Sequence, residues 1–545
     1  MASLKDLSYI FTALVVLYCI FWILRACYRL FFHPLSRYPG SPLAAISKPW
    51  YEWYWNFYHK GHLIFEIQRL HDRLGPVVRI APNELHISDP DVYLEMTKVG
   101  SQFTKDPSFY SLILFPGTSV AESDPHKHRI RRQVLSPAFS PSRVQELSSD
   151  VKEKVDELLQ RFNQFADPTK PINISAALKA FTMDVVSSIV LGNPLGCINE
   201  PDFRNRFMED LEATCDMGWT PTTFPNLTKF SLALPDWLSE RLLPIPIMDF
   251  KRRCTVLIDE YLNSRQSTTA KSCSDAPPST PATKNTSIVL DMLTTPNPSR
   301  SHTPLNRDEL TEEAIILLSA GNDTTANTLI SGIYQILRNP DVHERLVDEL
   351  SSAFSLDGTD ITYERARRLP YLTAVIKESL RYSSPFPGRS PRRVPKSGFS
   401  LYDHVLPPGT ILVTSTHILN RHPGTWGPDA NSFRPSRWLS PDPSSSPASS
   451  SSSLPSNSSS SYALNTRLDA HMASFYRGTR QCLGKELALC EAYLLLATLF
   501  RRFELAIDVP ADGVEDEEDV MRWVDLLFTF YTGPGFQLRA RGRSV

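Results

Sequence analysis

The chain has 545 residues, 41% hydrophobic and 21% charged, and its 57 Lys and Arg against 59 Asp and Glu leave a net charge of −2. That length can bury a sizeable core, and the balanced charge gives no sign of a nucleic-acid partner. Eight cysteines, at 19, 27, 197, 215, 254, 273, 482 and 490, follow neither a disulfide-framework nor a zinc spacing, so a reducing compartment is expected.

From Leu7 to Leu24 every residue except Ser8 and Thr12 is apolar, aromatic or small. As a helix this run spans about 27 Å, enough for a thin bilayer. Arg25, Arg29 and Arg37 follow it, which places the bulk of the chain on the cytosolic side and argues against a cleaved signal peptide. The segment His33-Pro34-Leu35-Ser36-Arg37-Tyr38-Pro39-Gly40 reads as a Pro-bearing linker. Pro76 to Ser88 alternates apolar and polar residues around Pro82-Asn83, predicting a strand hairpin. Helical patterns dominate elsewhere.

A basic run, His126-Lys127-His128-Arg129-Ile130-Arg131-Arg132, precedes Leu135-Ser136-Pro137-Ala138-Phe139. The connection from Phe224 to Ile247 is unusually apolar, and Ser264 to Pro304, rich in Ser, Thr and Pro, predicts a loop. A helix is predicted from about Arg307 to Arg338, with Asp308 and Glu309 suiting its positive end. Inside it stands Ala320-Gly321-Asn322-Asp323-Thr324-Thr325, where a mid-helix glycine needs a reason such as close contact.

Leu372, Val375, Ile376 and Leu380 recur at helical spacing around Glu378-Ser379-Leu380-Arg381, so Glu378 and Arg381 share one face. Arg392 and Arg393 follow, then Phe433-Arg434-Pro435-Ser436-Arg437-Trp438. Ser440 to Ser461 is almost entirely Ser and Pro and cannot build a core. Last comes Phe475-Tyr476-Arg477-Gly478-Thr479-Arg480-Gln481-Cys482-Leu483-Gly484, one cysteine on a Gly-bounded loop ahead of a helix. The amides and dipole of that helix would stabilise a thiolate, as an iron ligand requires.

This last string, with Phe475, Gly478, Arg480, Cys482 and Gly484 in their spacing, resembles the haem-thiolate signature of the cytochrome P-450 monooxygenases. The segments around Thr324, Glu378 and Arg437 match the same family in the same order, so the resemblance covers nearly everything from about residue 35 onward. It implies a mostly α-helical fold with small β-sheets, an anchor over 1–28, a linker over 29–44 and one haem-thiolate monooxygenase domain over 45–545, with an insertion at about 440–461. It implies haem b ligated by Cys482, with Phe475, Arg480 and Gly484 in the same loop. The haem carboxylates would be paired by Arg392 (or Arg393 if the register slips by one), Arg132 and His128, the last standing where Trp is often found. Gly321 would give clearance over the iron, Asp323 and Thr324 would deliver protons, and Glu378, Arg381 and Arg437 would form a structural triad. The substrate positions would be Phe109, Leu112, Phe115, Ile316, Leu317, Phe386 and Phe528.

The resemblance further implies dioxygen and an NADPH-cytochrome P-450 reductase as partners, the reductase docking near Arg477, Arg480 and Lys485, and an endoplasmic reticulum membrane location. It is nearest to fungal, trichodiene-oxygenase-like members that tailor apolar terpenoid or polyketide products. Two rival readings keep the haem site: an isomerase or dehydratase that does not use dioxygen, and a non-catalytic haem sensor.

Overall fold

The apolar N-terminal run folds as one helix, Leu4–Cys27, extended by a π-helical turn at Tyr28–Phe32. The computed structural model describes residues 4–113, 115, 117–164, 171–215, 218–234, 238, 246–271, 288–441, 462–508 and 520–543. Ser8–Phe32 is long and apolar enough to cross a membrane and is not covered by the rest of the chain. Part of the linker expected over 29–44 lies on the domain. Leu35 is buried among Val77, Leu85 and Ile87, and Arg79 donates to the Arg29 carbonyl at 2.8 Å. One buried leucine and one arginine thus fix the foot of the helix against the body.

The expected hairpin is present: Val77–Ala81 pairs antiparallel with Glu84–Ile87. Both strands are buried on both faces because they belong to a five-stranded sheet. Glu84–Ile87 runs parallel to Ile411–Ser415, which pairs antiparallel with Arg389–Arg393, and Thr104–Lys105 forms the far edge.

The helical body is built around Arg307–Arg338, whose start is fixed by a capping box in which the Asn306 side chain and Glu309 satisfy each other's backbone amides. This long helix packs against Ile174–Val190, Pro246–Lys271, Pro370–Ser383 and Lys485–Arg502, burying the main apolar core between them. The predicted loop from Ser264 is corrected in part. Helix Pro246–Lys271 runs through its first eight positions, and Ile288–Thr294 is helical because Val289, Leu290 and Leu293 are buried in the core. Of the Ser/Pro segment, Ser440 and Pro441 are strand, paired with Ala463 and Tyr462; residues 442–461 lie outside the described residues. In the apolar connection, Pro225–Ala233 is a helix whose Leu227 and Phe230 face outward, and Phe224 packs on Phe57.

Candidate active site

The helix Lys485–Arg502 begins directly after the cysteine loop, with Gly484 as its N-cap. Cys482 donates its backbone N–H to the Phe475 carbonyl at 2.8 Å, which folds the loop back on itself. Its thiol opens onto a cavity of about 370 Å³. Burial by the surrounding protein pushes the thiol's pKa up, against the backbone N–H groups of Gly484 and Lys485 and the cations Arg132 and Lys485, which favour the thiolate. A Cβ built on Gly484 meets nothing, so that side of the loop is open. Gly478 has a different reason: it sits at φ +64°, and a Cβ there would meet the Thr97 carbonyl oxygen at 2.0 Å. It makes room for the backbone of a neighbouring segment.

The same cavity is lined by Phe115, Ile316, Leu317, Phe386 and Phe528 of the expected substrate set, and by Phe475 and Gly484. Phe109 is not in the lining. It is buried behind the wall beside Trp219, and its neighbour Tyr110 faces the cavity. Both belong to helix Pro107–Ile113, where successive side chains diverge by about 100°, and here the turn between them carries Phe109 away from the cavity. The side chain of Leu112 lies outside the described residues.

Thr324 lines the cavity and donates to the Ala320 carbonyl at 2.8 Å. Asp323 does not join it there: it is buried on the other side of the helix, 3.5 Å from Lys179, which also meets Glu212 at 2.7 Å. Gly321 lines the cavity too, and it also serves helix packing, since a Cβ there would come within 2.6 Å of Val186 Cγ2 on the neighbouring helix.

One edge of the cavity is strongly cationic. Arg392 lines it and donates to the Tyr110 hydroxyl at 2.8 Å, whereas Arg393 is paired with Asp106 at 2.6 Å. The structure thus turns Arg392, not Arg393, inward. Arg132 donates to the Gln481 carbonyl at 2.6 Å, and Arg480 to that of Glu122 at 2.6 Å. His128 is buried beside them, its pKa pushed down to about 3 by burial and by Arg480, Lys105, Arg132 and Arg392. Lys105 was not foreseen. It is the register partner of Arg392 across the sheet edge, and burial together with Arg392 and Arg480 holds its pKa well below the usual lysine value. A two-residue strand leaves no periodicity to read, so only the pairing reveals it.

Arg480 is therefore half-buried at the cavity edge, and Arg477 is bonded to the Ala470 carbonyl. Of the three docking cations expected, Lys485 keeps 37% of its side chain exposed.

Glu378, Arg381 and Arg437 come together as expected. Glu378 and Arg381 are wholly buried at 2.8 Å, and Arg437 Nε reaches Glu378 at 3.0 Å. Despite burial, the Arg381 hydrogen bonds hold the Glu378 carboxyl below its usual range. Arg381 also donates to the carbonyls of Asn420 and Ala430, at 2.7 and 2.6 Å. Asn420 then bonds Ser474 and the Ala473 amide, which leads to the cysteine loop.

The family model for Cytochrome P450 matches residues 47–525. The chain is 47% identical to "Cytochrome P450 monooxygenase sol6" of Alternaria solani over 471 residues, covering 86% of this chain and 94% of that one. It is 32% identical to "Cytochrome P450 monooxygenase macH" of Penicillium terrestre, covering 96% of each, and 29% identical to "Tryptophan 6-hydroxylase fscE" of Fusarium equiseti, covering 90% of each. With these matches spanning a cavity that holds a loop cysteine, a helix threonine and the basic side chains Lys105, Arg132, Arg392 and Arg480, the chain belongs to the cytochrome P450 family of oxygen-incorporating oxidoreductases.

Proposed function

We propose that this protein is a membrane-anchored, NADPH- and dioxygen-dependent monooxygenase that oxidises a bulky apolar secondary metabolite of terpenoid or polyketide type, with Cys482 as the axial ligand of haem b. The carrying observation is that Cys482, Thr324 and the cationic edge line one cavity.

The residues fit the group. Haem brings two carboxylates, and Lys105, His128, Arg132, Arg392 and Arg480 cluster at the cavity edge, where burial and then the neighbouring cations lower the pKa values of Lys105, His128 and Arg480. Such a cluster needs anionic partners, and guanidinium groups suit carboxylates. On the helix that follows Cys482, Leu487 and Ala488 present a flat apolar face to the same cavity, beside the open side of Gly484. When bound, the haem supplies dioxygen activation at iron, with the thiolate's electron donation favouring O–O cleavage. The protein's own part is to hold the thiolate with the Gly484 and Lys485 amides, pair the carboxylates, and hold a proton-bearing water at the Thr324 hydroxyl. Asp323 would serve as proton donor only after release from Lys179.

The distal lining by Ile316, Leu317, Phe115, Phe386 and Phe528 supports an apolar substrate held by shape. A charged one would lose solvation there at a cost of several kcal/mol. The reductase would dock on the side of Lys485, and helix Leu4–Cys27 would hold the domain at the endoplasmic reticulum membrane.

The test is the ferrous carbonyl spectrum with and without Cys482→Ser. The far-red-shifted Soret band of thiolate ligation should appear in the wild type and vanish in the variant; its retention would overturn the ligand assignment. Oxygen uptake driven by NADPH and a reductase, with an apolar skeleton present, separates the monooxygenase from the isomerase and sensor readings.

A further inference from the structure

Phe115 lines one wall of the cavity together with Ser119 and Val120, which belong to the turn Gly117–Glu122. Three charged side chains from other elements hold that turn by its backbone. Lys105 donates to the Val120 carbonyl and Arg480 to that of Glu122. Glu313 accepts the Ser119 N–H, with distances of 3.0 and 3.2 Å to its two oxygens. Lys105 and Arg480 also face the cavity edge; Glu313 does not line the cavity.

Glu313 belongs to the long helix, is wholly buried, and lies 2.6 Å from Arg131. Its neighbour Glu312 is 3.0 Å from Lys251, whose ammonium stands 5.3 Å from the centre of the Phe115 ring. Two successive carboxylates on one helix therefore reach both ends of the same wall. A buried ion pair contributes little net stability compared with apolar packing, so its presence here calls for a different role.

We propose that Glu313 is a positioning residue for substrate selection: it fixes the Gly117–Glu122 turn against the long helix and so sets the width of the cavity for bulky substrates. This deepens the haem and substrate reading of the cavity and rests on it. A ligand that fills the cavity presses on the turn, whereas a small iron ligand does not reach it.

Two haem-loaded, full-length double variants test this. Arg131→Met/Glu313→Gln removes both charges but keeps an amide oxygen to accept the Ser119 N–H; Arg131→Met/Glu313→Leu removes the charges and the acceptor. Hydrogen exchange at Ser119 and Ala121 is measured, with the affinities of imidazole and of the bulky azole clotrimazole read from the Soret shift. In the leucine variant the two amides should exchange about tenfold faster and clotrimazole affinity should change about tenfold, as loss of a hydrogen bond to a buried acceptor implies. Imidazole affinity should hold, and the glutamine variant should stay near wild type throughout. Equal exchange and equal clotrimazole affinity in the two variants would overturn the proposal. Should the leucine variant fail to load haem, Ser119→Pro, which removes the N–H and leaves the ion pair, should speed Ala121 exchange and shift clotrimazole affinity in the same way; wild-type values there would also overturn it. Absence of the red-shifted carbonyl band from the wild type would instead overturn the haem reading itself.

Discussion

Lys105 stands directly opposite Arg392 where Thr104–Lys105 pairs antiparallel with Arg389–Arg393, and both are buried in the wall of the cavity that Cys482 enters. Like charges directly opposed across two strands are destabilising unless something anionic lies with them. The pair therefore sets the cofactor-free and loaded proteins against each other. Lys105→Met should make the apoprotein more stable by about 1 kcal/mol, within the range of a cross-strand pair, while the loaded enzyme releases haem faster. Urea unfolding of the apoprotein and haem transfer to apomyoglobin read the two effects; a variant that weakens both would show that Lys105 merely packs.

His128 gives the cluster a pH signature. Its folded pKa is about 3 against an ordinary 6.5, so between those values the unfolded chain takes up a proton that the folded apoprotein refuses. Apoprotein stability should thus fall as pH drops below 6.5, with a slope of up to about 1.4 kcal/mol per pH unit. Denaturant midpoints from pH 7 to pH 5 should show that slope, reduced in His128→Phe and in the haem-loaded protein, whose carboxylates offset Arg480, Lys105, Arg132 and Arg392. Equal slopes in wild type and variant would place the acid sensitivity elsewhere.

The limits of the sequence follow the same geometry. Helix Arg307–Arg338 was legible end to end, its first-turn acids Asp308 and Glu309 marking the start that the structure fixes with the Asn306 capping box. The grouping of Glu378, Arg381 and Arg437 was legible from family spacing. Which of two neighbours faces the cavity was not: Asp323 and Thr324, like Phe109 and Tyr110, are one residue apart and so on different helix faces. Gly321 announced a close approach, but its partner Val186, like the Thr97 carbonyl beside Gly478, is set by packing between distant segments. Lys105 depended on pairing with a strand nearly three hundred positions later.

The separation of Asp323 from Thr324 divides their mutants. Thr324→Ala should still bind haem and substrate yet divert NADPH electrons to hydrogen peroxide, because the hydroxyl at the cavity face is lost. Asp323→Asn also frees Lys179 from one of its carboxylates, leaving Glu212 at 2.7 Å. It should slow turnover with less peroxide formed per NADPH than in Thr324→Ala. Coupling ratios from NADPH, oxygen and peroxide assays decide this; identical ratios would mean that the two residues act as one unit.

Glu378 accepts from Arg381, Arg437, the Arg434 amide and the Trp438 indole. Glu378→Gln would leave two buried guanidinium groups without their carboxylate, at a cost of about 3–5 kcal/mol for breaking a buried pair. Because Arg381 also holds Asn420, and Asn420 holds Ala473 and Ser474, the loss should reach the cysteine loop. The variant should melt at lower temperature and convert its carbonyl spectrum to a form without thiolate ligation before the helices unfold. Coincident loss of circular dichroism and of the thiolate band would contradict that order.

The Ser/Pro insertion leaves and returns through neighbouring strands: Leu439 pairs with Leu464, Ser440 with Ala463, and Pro441 with Tyr462. Its two ends are thus register partners, and three residues suffice to join such partners in a hairpin. Deleting Ser444 to Ser460 leaves Asp442, Pro443 and Ser461 to make that connection. Closure entropy changes slowly with loop length, so shortening should alter stability by only about 1–2 kcal/mol. The Leu439–Leu464 pairing stays, and it packs beside the helix that carries Glu378, so the route from the triad to the cysteine loop is preserved. Haem content and turnover should remain close to wild type. Loss of haem on deletion would show that the insertion itself packs against the domain.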